Sequence, residues 1–426
     1  MTLNPERKHH NRARVLIVGA GFGGIACAKG LKRANVEVTL VDANNHHCFQ
    51  PLLYQVATAA LSPNQIAWPI REVLRTQANA TTFMAAIDAI DLDAQAAHAG
   101  AHRFGYDFLV LATGAAHSYF GHDDWAPVAP GLKTIEDATA IRRRLLTRFE
   151  EAELSDDESE RRRLMTFVIV GAGPTGVELA GAFAEVARHA LRKDFRRIDP
   201  RRARVVLIEA AAQVLPVYPA KLAAYAKREL ARKGVDVREN LMVTGCDARG
   251  VDTNAGRIEA ATVVWAAGVQ ASPAALWLNA PHDGAGRVLV EPNLSAPGCA
   301  NVFVIGDAAA VKNFHVKPVP GTAPAAKQMG EYAARIIRAR QEGRPAPAPF
   351  AYRHYGDLAT IGRNAAVVKF DPVRLTGFIG WAFWSVAHIY FLIGARNRIA
   401  VAFNWLWDYL TFRRGVRLIL GPKTPS

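Results

Sequence analysis

Apolar positions in this chain come in short unbroken runs that end on glycine. The first, "RVLIVGAGFGGI" at residues 14–25, predicts a β-branched strand running into Gly19, Gly21 and Gly24. A helical stretch from Ile25 to Lys32 follows, then a second strand, "VEVTLVDA", which carries Asp42 at its end. The same order returns in "LMTFVIVGAGPTGVELAGAFAEVARHAL", with Gly171, Gly173 and Gly176, and its second strand "ARVVLIEA" ends at Glu209. Each copy reads as a βαβ unit with an acid after its second strand.

The spacing has a chemical reason. The first glycine permits a tight turn, the second lets backbone amides approach a pyrophosphate, and the third lets helix and strand pack closely. The acid then accepts from a ribose hydroxyl. A single such motif also fits a plain glycine-rich turn. Two copies, each between strand and helix and each with its acid, point instead to two dinucleotide sites. In the second copy Glu209 lies well beyond the roughly 20 residues usual for this acid, because "RHALRKDFRRIDPRRAR" lengthens the crossover. A carboxylate there suits the free 2′-hydroxyl of NADH and repels the 2′-phosphate of NADPH, and the "AAAQ" that follows offers no arginine to reverse the choice.

Three further runs complete the plan. "YDFLVLATGAAHSYF" and "ATVVWAAGVQASP" end in small residues at Thr113-Gly114 and Ala267-Gly268, where a chain would pass from one dinucleotide domain to the other. "NVFVIGDAAA" brings a strand to Gly306-Asp307; from these residues alone Asp307 fits a helix N-cap equally well.

The pattern changes near the C-terminus. Phe378 to Ile393 is apolar nearly all round, with Ser385 and His388 marking a polar edge, and it is shorter than the roughly 20 residues of a spanning helix. The next helix, "IAVAFNWLWDYLTF", puts Asn404, Asp408 and Thr411 on one face, and Arg396, Arg398, Arg413, Arg414 and Arg417 flank the pair. Asp408 near the middle of a span would cost about 2.5–3.5 kcal/mol. The pair therefore reads as helices lying in a membrane surface, tryptophans at headgroup level and arginines on anionic lipid. Closing a domain or forming a homodimer is the competing reading.

Composition narrows the rest. A chain of 426 residues exceeds one ordinary core, and a net charge of +14 calls for anionic partners. Segments such as "IRRRLL" and "DESERRR" place much of that charge on solvated helix faces, and no nucleic-acid-reading motif appears. The four cysteines form no CxxC pair and no metal-ligand cluster, which removes iron–sulfur, zinc and thioredoxin-type chemistry. The polar, basic N-terminus lacks an apolar signal region, so a cytoplasmic, reducing location is expected.

Together, "VLIVGAGFGGI", "HCFQPLLYQVATAALSPNQIAWPIR", "FLVLATGAA", "FVIVGAGPTGVELAG", "VVWAAGVQASP", "NVFVIGDAA", "VPGTAPAAKQMGEYAA" and the aromatic tail resemble the two-dinucleotide-binding-domain flavoproteins. Within that group the resemblance is to type II NADH dehydrogenases, the non-proton-pumping NADH:quinone oxidoreductases. It implies an α/β fold with two Rossmann-like domains, one for FAD and one for NAD, and a C-terminal amphipathic helical segment on the cytoplasmic membrane surface. The FAD domain would span 12–117 and 282–349, the NAD domain 118–281 and the anchor 350–426.

Carried onto matching residues, the resemblance assigns Gly19, Gly21, Phe22, Gly23, Gly24 and Asp42 to the adenosine diphosphate part of FAD. Thr113 and Gly114 would lie nearby, with Asp307 on the ribityl chain. Gly171, Gly173, Gly176 and Glu209 would hold NADH. Glu178 would sit near the flavin–nicotinamide contact as a proton relay or charge-transfer tuner, its alternative being a first-turn glutamate complementing the helix dipole. On the quinone side, the family's AQxAxQ pattern meets Ala323-Pro324-Ala325-Ala326-Lys327-Gln328 here. Pro324 replaces the first glutamine, and Gln328 is left to donate to a quinone carbonyl, with Lys327 adding positive potential. Gln50 and Pro51-Leu52-Leu53-Tyr54 would line a tunnel or pack a core. Cys48, six residues after Asp42, raises the alternative of a soluble NADH oxidase or peroxidase; a redox sensor without turnover is a third reading.

Overall fold

The computed structural model describes residues 12–311, 318–392, 394–411, 415 and 417–420. The chain divides into two compact units, each assembled from separated segments.

The first unit contains the residues up to His47, then Trp68–Ala116 and Val269–Tyr355. Its six-stranded sheet has the order Ser295–Ala296, Cys299–Val304, Phe108–Leu111, Ala13–Val18, Val36–Asp42, Ala80–Met84. All neighbours run parallel except the first pair. Strands such as Phe108–Leu111 are buried at every position, the unbroken apolar run expected of a parallel strand covered on both faces. Two helices, Phe22–Gly30 and Ala323–Gln341, pack against each other at contacts only glycine allows. A Cβ on Gly330 would lie 2.1 Å from the carbonyl oxygen of Gly23. Pro324 occupies the first turn of the second helix, where its missing N–H costs nothing.

The second unit contains Cys48–Ala67, His117–Gly268 and the chain from Gly356 onward. Its parallel sheet has the order Val235–Arg238, Arg204–Ile208, Thr166–Val170, Thr262–Trp265. The helix Ile135–Leu154 starts with a capping box in which the Thr134 hydroxyl accepts from the Asp137 amide and the Asp137 carboxylate accepts from the Thr134 amide. A three-stranded antiparallel sheet follows, Asp357–Thr360, Ala366–Phe370 and Val373–Thr376, and leads into helices Gly377–Phe391 and Ala395–Thr411.

Those last helices depart from the sequence expectation in detail. The first stops at Phe391, with Leu392 extended, rather than continuing to Ile393, which lies outside the described residues. Arg398, itself exposed, caps it by donating Nε to the Leu392 carbonyl at 2.8 Å. Arg413 and Arg414 lie outside the described residues. Among the described residues no helix is long and apolar enough to cross a membrane. Ile379, Phe383, Val386 and Tyr390 on one helix and Ile399, Phe403, Leu406 and Leu410 on the other are nevertheless all exposed. Both sets follow the same i, i+4, i+7, i+11 spacing, so each helix turns an apolar stripe outward. Trp384, Val401 and Asn397 are buried and Asp408 lines a cavity, so each helix has a packed face besides its exposed apolar stripe.

Candidate functional site

In the first unit the loop after Ala13–Val18 is shaped by Gly19, where φ is +102° and a Cβ would lie 2.3 Å from the Ala112 carbonyl oxygen, so a side chain is excluded. Asp42 ends the neighbouring strand and faces this loop. One of its carboxylate oxygens accepts from the Ala20 amide at 2.6 Å, the other from the Asn44 amide at 2.7 Å. A Cβ on Gly21 would meet nothing within 4 Å. That open space, over the first turn of the helix Phe22–Gly30, is the cradle a pyrophosphate requires, and the residues present fit a dinucleotide.

The opposite side of this loop is held by a residue the sequence reading passed over. His47 is 2 % exposed; its Nδ1 lies 2.8 Å from the Ala20 carbonyl oxygen and its ring stands edge-on to Phe22 at 5.0 Å. Burial, aided by Lys29 and His46, pushes its pKa down to about 4, so the neutral ring donates from Nδ1, and Nε2 is a buried acceptor without a partner among the described residues. Further along, Thr113 Oγ1 lies 2.5 Å from Ser272 Oγ, and Gly114 has φ +71°. Asp307 is not an N-cap: it lies inside the short turn Gly306–Ala308, whose cap position is Ile305. Its carboxylate lies beside Gly321, where a Cβ would come within 3.3 Å of Oδ1.

The second unit repeats the loop almost atom for atom. Gly171 has φ +96°, and Glu209 accepts from the Ala172 amide at 2.7 Å and from the Ala211 amide at 2.9 Å. A Cβ on Gly173 again meets open space, whereas one on Gly176 would lie 1.8 Å from the Gly171 carbonyl oxygen. The long crossover therefore leaves the acid in place. Its extra residues form a π-turn at Val186–Ala190 and a short turn at Pro200–Arg202.

Glu178, on the helix Pro174–Glu185, is 8 % exposed. Burial pushes its carboxyl up to about 8, against a long 3.4 Å contact from the Thr360 amide. Trp384 lies close enough to favour the charged form, although its indole N–H closes no hydrogen bond among the described residues. Thr360 and Trp384 also line a cavity of about 330 Å³ that continues past Tyr54, Gln55, Trp405 and Tyr409. Gln55 is fixed at both ends there: its Oε1 accepts from the Trp405 indole at 2.7 Å and its Nε2 donates to the Tyr54 hydroxyl at 2.9 Å. Tyr54 stands out in the sequence, whereas Gln55, Trp384 and Trp405 are gathered around it only by the fold.

Other candidates are placed differently. Gln328 is engaged at both ends by Arg353, donating to its carbonyl and accepting from its amide, each at 2.9 Å. Lys327 lies 3.9 Å from Glu331. Gln50 is exposed and donates to the Lys133 carbonyl at 3.3 Å, while Leu52 and Leu53 are core residues. Cys48 carries a thiol pushed up to about 12, chiefly by burial and secondarily by Glu136, which disfavours the thiolate that peroxide chemistry needs. Among the described residues no cluster of metal-ligating side chains exists.

Two nucleotide cradles of this kind define a pyridine-nucleotide-dependent flavoprotein oxidoreductase. Accordingly, residues 13–330 match the family described as pyridine nucleotide-disulphide oxidoreductase, and residues 354–414 match the NDH2 C-terminal domain. The chain is 45% identical to the type II NADH:quinone oxidoreductase Ndh of Mycobacterium tuberculosis, over 97% of this chain and 91% of that protein. It is also 45% identical to NdhA of the same organism, over 95% and 88%. In fold it is similar to NDH2 from Plasmodium falciparum solved in complex with NADH, with a TM-score of 0.86, 19% identity and coverage of 96% of this chain and 100% of that one. The protein belongs to the type II NADH:quinone oxidoreductases.

Proposed function

We propose that this chain works at the cytoplasmic face of a membrane, where it oxidises NADH at the second unit's cradle and reduces a quinone admitted through the aromatic cavity, without pumping protons. NADH:quinone oxidoreduction with FAD is the activity of its family. Bound FAD would supply the redox chemistry, taking a hydride from the nicotinamide and passing two electrons to the quinone. The protein's part is to hold, orient and manage protons.

The first unit is assigned to FAD and the second to NADH; of the expected spans, 12–117 and 282–349 for FAD and 118–281 for NADH, residues 48–67 fall in the second unit and 269–281 in the first. Gly19, Gly21, Phe22, Gly23, Gly24 and Asp42 hold the adenosine diphosphate portion of FAD, Thr113 and Gly114 border it, and the Asp307 carboxylate accepts from its ribityl hydroxyls. Gly171, Gly173 and Gly176 receive the NADH pyrophosphate, and Glu209 keeps acceptor capacity for the adenosine ribose. Glu178 supplies a proton on the quinone side, since a carboxyl near 8 gains and loses protons around neutral pH. Gln328, with one amide N–H left over from its bonds to Arg353, donates to the quinone carbonyl.

The single observation that carries this reading is the link from the buried Glu178, through the Thr360 amide, to a residue that lines the aromatic cavity. Steady-state assays with NADH and a short-chain quinone test it. Quinone reduction should survive Cys48→Ser and fall at least about a hundredfold in Glu178→Gln, the low end for loss of a positioned acid or base. Loss of activity in Cys48→Ser alone would favour the oxidase or peroxidase reading. The outward stripes support a membrane-surface position. Val386→Glu with Phe403→Glu should abolish vesicle binding without altering NADH:ferricyanide activity or oligomeric state; a change from dimer to monomer would favour the homodimer instead.

A further inference from the structure

The second unit contains a second cavity, of about 430 Å³, that neither nucleotide site uses. Five cationic side chains line it, Arg188, Arg192, Arg201, Arg232 and Lys233, against one carboxylate, Glu185. That carboxylate is already committed: its Oε1 accepts from Lys233 Nζ at 3.0 Å and from the Arg363 amide at 2.5 Å. Arg201 is paired with Asp199 and Arg232 with Glu229, each at 2.8 Å. Arg188 and Arg192 have no acidic partner among the described residues. Like charges gathered in one concavity repel, and an anion there relieves the repulsion.

The site is built rather than accidental. The Leu191 amide donates to the Val186 carbonyl at 2.9 Å, closing the wide turn that carries Arg188, and turns of this kind recur at functional positions. The guanidinium of Arg188 lies directly over Gly234, where a Cβ would fall 1.8 Å from Nη2 and where φ is +80°. Only glycine lets the arginine lie there. Neighbouring His189 is held below the usual imidazole range by burial, an effect to which Lys233, Arg363 and Arg188 add.

Location selects the kind of anion. Glu185, His189 and Lys233 line both this cavity and the aromatic one formed with the C-terminal helices. Arg417, just beyond those helices, donates to the Ala190 carbonyl at 2.8 Å and pairs with Asp194. Apart from the His189 imidazole no ring among the described residues lines the basic cavity, so a nucleotide base would have little to stack on. We propose that this cavity binds the phosphate of an anionic phospholipid headgroup at the edge of the membrane face. The inference rests on the membrane-surface reading above.

Calorimetry with the FAD-loaded, full-length protein tests it, using dioctanoyl-phosphatidylglycerol below its micellar concentration, the matching phosphatidylcholine, and inorganic pyrophosphate. The phosphatidylglycerol should give a saturable one-site isotherm, weakened roughly five-fold by Arg188→Gln and more by Arg192→Glu. Arg33→Gln, an exposed arginine in the other unit, should leave it unchanged, and NADH:ferricyanide turnover should be the same in all three variants. Equal binding of phosphatidylcholine, undiminished binding in the Arg188 and Arg192 variants, or pyrophosphate binding as tightly as the lipid would each overturn the proposal. Vesicle binding, measured separately in the Val386→Glu, Phe403→Glu protein, reports on the surface reading; the one-site isotherm alone decides the cavity.

Discussion

The two glycine-rich loops are close to superimposable in their hydrogen bonds, yet they are supported by different chemistry. In each, the first glycine donates its amide to the neighbouring strand at 2.8 Å, Gly19 to Val41 and Gly171 to Ile208. In each, the acid accepts from the next amide, Ala20 or Ala172, although the sequence separation is 22 residues in one and 37 in the other. The difference is behind the loop. The Ala20 carbonyl is satisfied by the His47 imidazole at 2.8 Å, and the Ala172 carbonyl by the Leu215 backbone amide at 2.8 Å. One cradle therefore depends on a titratable side chain and the other does not. The lesson is that strand ends fix where the acid stands, whereas the support of the loop is free to differ, and with it the pH response.

The largest effect should come from closing one cradle at a time. Gly24→Ala and Gly176→Ala each force a Cβ to within 1.8 Å of a carbonyl oxygen, a backbone clash at or beyond the upper end of about 1–3 kcal/mol for overpacking. Gly24→Ala should yield colourless, inactive protein. Gly176→Ala should stay yellow while its KM for NADH rises about a hundredfold, the factor that about 3 kcal/mol corresponds to. Loss of flavin in both would erase the distinction between the sites.

Two ionisable groups sharpen the comparison with opposite signs. His47 has a folded pKa depressed to about 4 from 6.5, so its neutral form stabilises the first unit above pH 6.5 and that contribution disappears as pH falls through 4. The shift corresponds to about 3 kcal/mol. Flavin release should therefore set in across this window and be absent in His47→Gln, measured by fluorescence of freed FAD, with NADH affinity little changed. Glu178 has a folded pKa raised to about 8 from 4.5. Its stabilising neutral state is fully present below pH 4.5 and lost as pH rises through 8. Glu178→Gln should therefore raise stability at pH 7 by about 3 kcal/mol and not at all at pH 4, as read by urea unfolding at the two pH values. The smallest effect belongs to Glu209→Gln. NADH binding should weaken by about 1–3 kcal/mol as charged hydrogen bonds are lost, and the NADPH/NADH ratio should rise. An unchanged ratio would place the ribose elsewhere.

Much of this was legible in the sequence because it is local. Both βαβ units, the cradle glycines and the acids Asp42 and Glu209 follow from residue order, and even the long second crossover left Glu209 on its amide. What escaped was assembled from distant segments. His47 is one residue from Cys48 and drew no attention, since nothing in the order of residues announces that its ring reaches the Ala20 carbonyl. Gln55 meets Trp405 across 350 residues, and the basic cavity gathers Arg188, Arg201 and Arg232 from three separate elements. The two apolar helices of the tail are legible in its composition, but the placing of Asp408 at a cavity and the bond from Arg398 to a helix end depend on packing. Pro324, surprising beside the family pattern, sits at a helix start where proline is favoured.

The central claim is that electrons enter from NADH at one cradle and leave to quinone by way of the flavin held in the other. An anaerobic titration of the purified, FAD-loaded protein tests it most directly. NADH should bleach the flavin absorbance with one equivalent, and a short-chain quinone added afterwards should restore it fully, in wild type and in Cys48→Ser alike. Flavin that NADH leaves oxidised, or reduced flavin that quinone fails to reoxidise, would contradict the account.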